Sequence, residues 1–446
     1  MLGAGLGLLG AATPAHATTL AEALAQAYVE NPTLLVQRAA LRATDEGVPQ
    51  ALSGWRPTVT ATVSAGLEDI DSNSSRGLGA QDTLKPRSYG VSIVQPIFQG
   101  GRTVAAVRRA ELLVEVDRAR LAEVEQTVFV DVVTAYMNML REQAVLDLAI
   151  SNEQRLKRQL ESAKDRFDVG EVTRTDVAQA QSRLSVAVAD RVKAQSDLVT
   201  SRAAYLGVVG VLPTSLSWPD PAAALPNSEI EGRRIATVEN PTLIRVIKAE
   251  RAAQADVREA LGVLYPELNL RGSYDKVEDT STFITNQDTA TLTAELTVPL
   301  YQSGAEHARV RAAREVASQR RVEIEQARRS VLETVTQWWE SLQTARAQKA
   351  AFTDAERAAK IALEGVEQEA KVGARTTLDV LDAEQELFNA QVDLVRARRD
   401  ELVSSYGLLA AIGRLTAKRI GLDVATYDAG VHYRAVRGKL FGTDVK

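Results

Sequence analysis

Two hydrophobic periods take turns along the chain. In "RPTVTATVSAG", Val59, Ala61, Val63 and Ala65 alternate with Thr58, Thr60, Thr62 and Ser64; in "SYGVSIV", Tyr89, Val91 and Ile93 share one face. Later, Leu268, Leu270, Gly272 and Tyr274 alternate with Asn269, Arg271 and Ser273, and Leu292, Ala294, Leu296 and Val298 with Thr291, Thr293, Glu295 and Thr297. A period of two over about ten residues predicts strands with one apolar and one polar face. They are placed at 57–67, 88–97, 266–276 and 290–299. A helical period follows each pair. Residues 102–168 contain no proline or glycine, and 305–372 only Gly365. Two helices of about 100 Å are expected at 1.5 Å per residue. Return helices are expected at 176–209 and 379–412. Their seams, Val177-Ala180-Leu184-Ala187-Arg191-Ala194-Leu198 and Val380-Ala383-Leu387-Ala390-Leu394-Ala397, step by three and four as in a coiled coil. Facing stripes are Leu156-Leu160-Ala163-Phe167 and Ala359-Leu363-Val366-Ala370.

The pattern occurs twice. "ENPTL" stands at 30–34 and again at 239–243, an offset of 209 shared by Pro57 and Pro266. "VQPIFQGGR" (94–102) and "TVPLYQSGA" (297–305) are offset by 203, as are Gly170 and Gly373, Asp176 and Asp379, and Gly210 and Gly413. The first copy therefore carries six extra residues between its two prolines, within one loop. A repeat this long is a tandem duplication inside one fold. The units are 18–212 and 234–413, joined by a proline-rich linker at 213–233 and followed by a tail at 414–446.

Composition narrows the class. The balance of 53 basic and 58 acidic residues offers no cationic footprint for nucleic acid. The chain has no cysteine, which excludes disulfides, thiolate metal sites and a lipidated N-terminal cysteine. An apolar start ending in Ala15-His16-Ala17 predicts an export signal over 1–17, cleaved after Ala17. Beyond that signal no stretch reaches the ~18 apolar residues of a spanning helix. Four ten-residue alternating strands suit a transmembrane barrel, and Trp55, Phe98, Tyr265 and Tyr301 cluster near the strand ends as an interfacial girdle would. The polar segments "DSNSSRGLGAQDTLKP" and "EDTSTFITNQDT" are expected as extracellular loops. Four strands cannot close a barrel, so strands must be pooled between copies.

The duplicated strand–long helix–return helix units, with "RFDVGEVTRTDVAQAQ", "KVGARTTLDVLDAEQELFNAQVDL" and the two strand-to-helix joins, resemble the TolC-like outer-membrane efflux channels over nearly the whole mature chain. The resemblance implies a mixed α and β membrane protein. It implies a homotrimer whose 12-stranded outer-membrane β-barrel, four strands per chain, continues into a periplasmic α-helical coiled-coil barrel. It implies an exit duct for inner-membrane ABC or RND-type transporters joined by a periplasmic adaptor, without cofactors. Acidic residues matching Asp379 and Asp382 line the entrance in that family, where stacked carboxylate rings would favour cations. Polar links between hairpins would join Arg375 to Thr175 and Asp176; where the family pattern has a tyrosine, this chain has Ala370. Adaptor hairpins would dock at the tips, Val169-Gly170-Glu171-Val172 and Val372-Gly373-Ala374.

The residues alone supply a second account of the tips. Gly170 and Gly373 suit a turn with φ > 0, Thr175 or Thr376 suits a helix cap, and Asp176 and Asp379 suit a helix N-terminus. His307 and His432 are the only histidines after cleavage, and no nucleophile set, metal spacing or phosphate loop accompanies them, so an enzyme is not expected. The alternative is a periplasmic coiled-coil adaptor without a channel. Barrel-type strands and the lack of a membrane anchor argue against it. The exported substrate and the particular transporter are not encoded in these motifs.

Overall fold

The computed structural model describes residues 18–72, 80–222, 224–281 and 284–444; the expected export signal lies outside them. In chain order the elements are α1 (Leu20–Glu30), α2 (Pro32–Asp45), α3 (Gly47–Leu52), β1 (Thr58–Ala65), β2 (Glu68–Ser72), β3 (Ala80–Leu84), β4 (Arg87–Gln99), α4 (Arg102–Asp168) and α5 (Arg174–Val209). Then come α6 (Glu229–Glu239), α7 (Pro241–Gly262), β5 (Glu267–Ser281), β6 (Ile284–Thr297), α8 (Ala305–Lys371), α9 (Thr377–Ala411) and α10 (Val431–Val436). Two compact units share them. One takes residues up to Gln37, 120–243 and 328–427; the other takes 38–119, 244–327 and 428–446.

The first unit is helical. Leu156, Leu160 and Ala163 of α4 pack on Ala180 and Ala187 of α5, and Leu381 of α9 joins them. Leu363 of α8 packs with Val380 and Leu387 of α9, flanked by Ala359, Val366, Ala370 and Ala383. Alanine at alternate seam positions brings the backbones close, and truncating one of these buried leucines costs about 2–5 kcal/mol. Phe167 departs from the stripe: it is 43% exposed, beside the turn that ends α4.

The repeated "ENP" has a physical explanation. Asn31 and Asn240 are both buried between helices. Each side-chain oxygen accepts from the amide two residues on, Thr33 or Thr242, at 2.9 Å. This caps α2 or α7, whose first residue is proline and has no N–H to satisfy. Each side-chain amide donates at 2.8 Å to a last-turn carbonyl, Val208 of α5 or Ala411 of α9. One asparagine thus joins three helix ends in each repeat. In the proline-rich segment, the Tyr136 hydroxyl lies 2.9 Å from the Thr18 carbonyl and 2.7 Å from that of Ser217. The tail is tied down here as well: Ala417 N donates to Glu125 at 2.7 Å and Tyr427 N to the Tyr28 hydroxyl at 3.0 Å.

The second unit holds an antiparallel sheet in the order β1-β4-β5-β6, and a separate β2–β3 hairpin. That hairpin falls in the segment expected to be a loop, where the first repeat has its extra residues. β5 and β6 likewise run into the second expected loop, pairing Lys276 with Asp288 and Val277 with Gln287. Apolar alternation ends before the backbone ladder does, because polar residues can continue a ladder wherever nothing buries their side chains. Strand-to-helix joins use left-handed backbone: Gly100 and Gly101 at φ +61° and +82°, Ser303 and Gly304 at +53° and +78°. A β-carbon on Gly100 would lie 2.1 Å from the Gly262 carbonyl oxygen. The end of the tail packs in this unit, with His432 Nδ1 3.1 Å from Asp45 and Tyr433 under the Arg118 guanidinium.

Two stability predictions follow from these joins. Asn240→Ala strands a buried carbonyl and a helix N–H, and is expected to cost about 1–3 kcal/mol, with a similar loss for Asn31→Ala. Thermal unfolding of detergent-solubilised protein measures both. Gly101→Ala costs about 1–2 kcal/mol of left-handed strain, while Gly100→Ala lowers the unfolding midpoint further because its methyl meets backbone.

Candidate functional site

The sheet organises one candidate surface. Directly opposed residues of neighbouring strands share a face. Val59, Ile93, Gly272 and Leu292 form one row across all four strands, and Ala61, Val91, Tyr274 and Ala290 the next on the same face. The other face carries Thr60, Ser92, Ser273 and Thr291, with 2.7 Å between the Ser273 and Thr291 hydroxyls. The Arg271–Glu295 pair at 3.7 Å belongs to this polar face. Within one chain the apolar rows are uncovered, Val59 being 65% and Leu292 77% exposed. Trp55, Phe98, Tyr265 and Tyr301 are also exposed, near the strand ends. One face suits hydrocarbon and the other water.

The hairpin tips form the second candidate surface. Gly170 N donates to Phe167 O and Glu171 N to Arg166 O; in the other hairpin Gly373 N donates to Ala370 O and Ala374 N to Glu369 O. With φ of +82° at Gly170 and +79° at Gly373, both α4 and α8 end in the same left-handed cap. Val169 and Val372 are exposed, the latter at 80%. Glu171 and Ala374 are exposed beside them, and Val172 is half-buried.

Each return helix starts with a reciprocal capping box. The Thr173 hydroxyl and amide donate to the Asp176 carboxylate, each at 2.8 Å, while Asp176 N donates back to the hydroxyl. Thr376 and Asp379 repeat this, with the hydroxyl donating at 2.8 Å, the amide at 2.9 Å and Asp379 N donating back at 3.2 Å. The cap of α5 is therefore Thr173, and Thr175 is an exposed residue of its first turn. Backbone and hydroxyl donation from the cap threonine, aided by Arg166, holds the Asp176 carboxyl below the usual aspartate value. The same donors, aided by Arg375, hold Asp379 down.

Within the chain Arg375 does not meet Thr175 or Asp176. Its Nε donates to Glu369 at 2.9 Å, clasping its own turn. The first hairpin has the mirrored pair, Arg166 to Glu171 at 3.2 Å, with the signs exchanged between helix end and turn. Ala370 packs into the α8–α9 seam. Asp382 accepts from Arg183 Nη2 of α5 at 2.5 Å, tying one hairpin to the other. Sequence reasoning missed Arg183, a half-buried helix position off the seam. It also missed Glu384, which is 1% exposed. The available signal was its place four residues after Val380, on the edge of the seam.

Comparison with known proteins agrees with this architecture. The model of the family "Outer membrane efflux protein" matches residues 23–210 and 233–414, one match for each repeat. The chain is 36% identical over 426 residues to the outer membrane efflux protein BepC of Brucella suis biovar 1, covering 95% of this chain and 91% of that one. It is 29% identical to the outer membrane protein TolC of Vibrio cholerae, over 96% and 97% of the two chains. The crystal structure of the Campylobacter jejuni CmeC outer membrane channel superposes with a TM-score of 0.81 over 94% of this chain and 89% of that one, at 14% identity. With a duplicated strand–helix plan, an amphipathic sheet and matches across both repeats, this chain belongs to the outer membrane efflux protein family.

Proposed function

We propose that three copies of this chain pool their sheets, four strands each, into a 12-stranded outer-membrane barrel. The hairpins of the three copies then form a periplasmic tunnel continuous with it. The observation that carries this reading is the pair of uncovered apolar rows on a sheet whose outer strands, β1 and β6, each lack a second neighbour among the described residues. The duct passes proteins or small molecules delivered by an inner-membrane transporter and its periplasmic adaptor. It performs no chemistry on them. The adaptor docks at the tips, on Val169 to Val172 and Val372 to Ala374.

The tips also supply the gate. In the closed assembly Arg375 leaves Glu369 and reaches Thr175 and Asp176 of a neighbouring hairpin. The exchange is cheap, because an exposed, solvent-screened ion pair contributes little to stability, and an arginine–carboxylate link is directional enough to latch. Asp379 and Asp382 from three chains form two acidic rings at the entrance, which favour cations. Ala370 supplies no hydroxyl, so the latch rests on Arg375.

Single-channel recording in planar bilayers tests the gate. Wild-type trimers are expected to pass small currents and Arg375→Glu trimers several-fold larger ones; equal currents would remove Arg375 from the gate. In a salt gradient the wild-type reversal potential is expected to indicate cation preference. Asp379→Asn with Asp382→Asn should move it toward zero, and an unchanged potential would place the selectivity elsewhere.

A further inference from the structure

Just beyond its cap, α9 buries a carboxylic acid. Glu384 is 1% exposed at the place where α9 packs on the first hairpin. Gln159 of α4 donates its side-chain amide to Oε1 at 3.3 Å, and Oε2 has no partner. The charged groups facing it are Arg155 and Arg158 on α4 and Glu367 on α8. α5 contributes the apolar Ala180 and Ala187 to the adjoining cluster, and its Arg183 is engaged by Asp382. Arg155 is itself incompletely satisfied: its Nη2 reaches Asn152 at 3.4 Å, while its Nε is buried without a partner. A buried acid and a half-buried arginine with a buried Nε therefore lie near each other, and no ion pair joins them.

We propose that Glu384 is a protonation-dependent lock between the two hairpins of each chain: its neutral form holds α9 on α4, and its ionised form drives them apart. This rests on the channel and gate reading above. A neutral carboxyl tolerates this site with one hydrogen bond. A carboxylate there has lost its water and gained only a neutral amide, which costs far more than a missed neutral hydrogen bond. The unpartnered Nε of Arg155 offers an ionised Glu384 a charged partner that the present packing does not use, so ionisation favours a second packing over the first.

Burial, outweighing the Gln159 bond and the Arg155 charge, pushes the Glu384 carboxyl above the usual glutamate value. The folded state thus holds its proton more tightly than the unfolded chain does. The locked packing is fully stable below the ordinary glutamate range, and it is lost as pH rises toward the folded value. Above that value, each pH unit changes the ratio of ionised to neutral form roughly tenfold. The lock is distinct from Asp379 at the entrance, whose cap shifts its carboxyl in the opposite direction.

The test records conductance of the purified trimer across a pH series, wild type beside Glu384→Gln. The amide keeps the shape and hydrogen bond of the neutral acid. Wild-type conductance is expected to rise several-fold with pH along a one-proton curve, while Glu384→Gln stays at the low-pH level. The same rise in both would overturn the lock and leave the channel standing; no current from either at any pH would remove the channel reading on which it rests. Infrared difference spectra of wild type minus Glu384→Gln supply a second readout. They should contain a protonated-carboxyl band that persists above the pH at which ordinary carboxyls ionise. Absence of that band would refute the proposal regardless of the currents.

Discussion

Along the outer sides of β1 and β6, backbone N–H and C=O groups run without an internal strand partner among the described residues, while one face of the same sheet is apolar. In water such an edge invites indiscriminate pairing. In hydrocarbon it is worse, because nothing there replaces the missing bonds. The remedy that satisfies both conditions is closure, with β1 of one copy meeting β6 of the next. Folding and assembly of this chain are then one thermodynamic event, and the stability of the barrel depends on chain concentration as well as on contacts.

The duplication supplies matched parts to that assembly and then modifies them. Asn31 and Asn240 fasten equivalent helix ends, and Gly170 and Gly373 turn equivalent hairpins. Other equivalents have diverged. Ser303 accepts the left-handed backbone that Gly100 takes in the first repeat, where Gly262 leaves no room for a side chain. Glu384 is buried at the position where the first repeat has Gln181, which is exposed. The hairpins share a geometry, while the second carries the titratable group.

Much of this was legible in the chain because it rests on period and punctuation. Alternation over Thr58–Ala65 reveals a strand, a glycine-free run over 102–168 reveals a long helix, and the paired glycines reveal the turns. The hairpin β2–β3 and the extensions of β5 and β6 were not legible, since their largely polar sequences carry no apolar alternation. The short helices α1, α2, α6 and α7 went unremarked although "ENPTL" marked their junctions; a buried asparagine looks like any polar loop residue until its three partners are known. At the tips, Thr173 rather than Thr175 caps α5, and the choice depends on a boundary one or two residues wide. Arg375 and Asp382 have partners within their own chain that spacing does not reveal, Glu369 and Arg183.

The mirrored ion pairs at the two turns have a consequence for symmetry. Arg166 projects from a helix end toward Glu171 in one tip, and Glu369 from the matching helix end toward Arg375 in the other. A ring of three chains displays six tips of nearly one shape, yet their electrical polarity reverses from each tip to its neighbour. By outline the rim has sixfold repetition; by charge it has threefold. A partner that recognised shape alone would settle in six equivalent orientations, whereas one that carries charge is restricted to three.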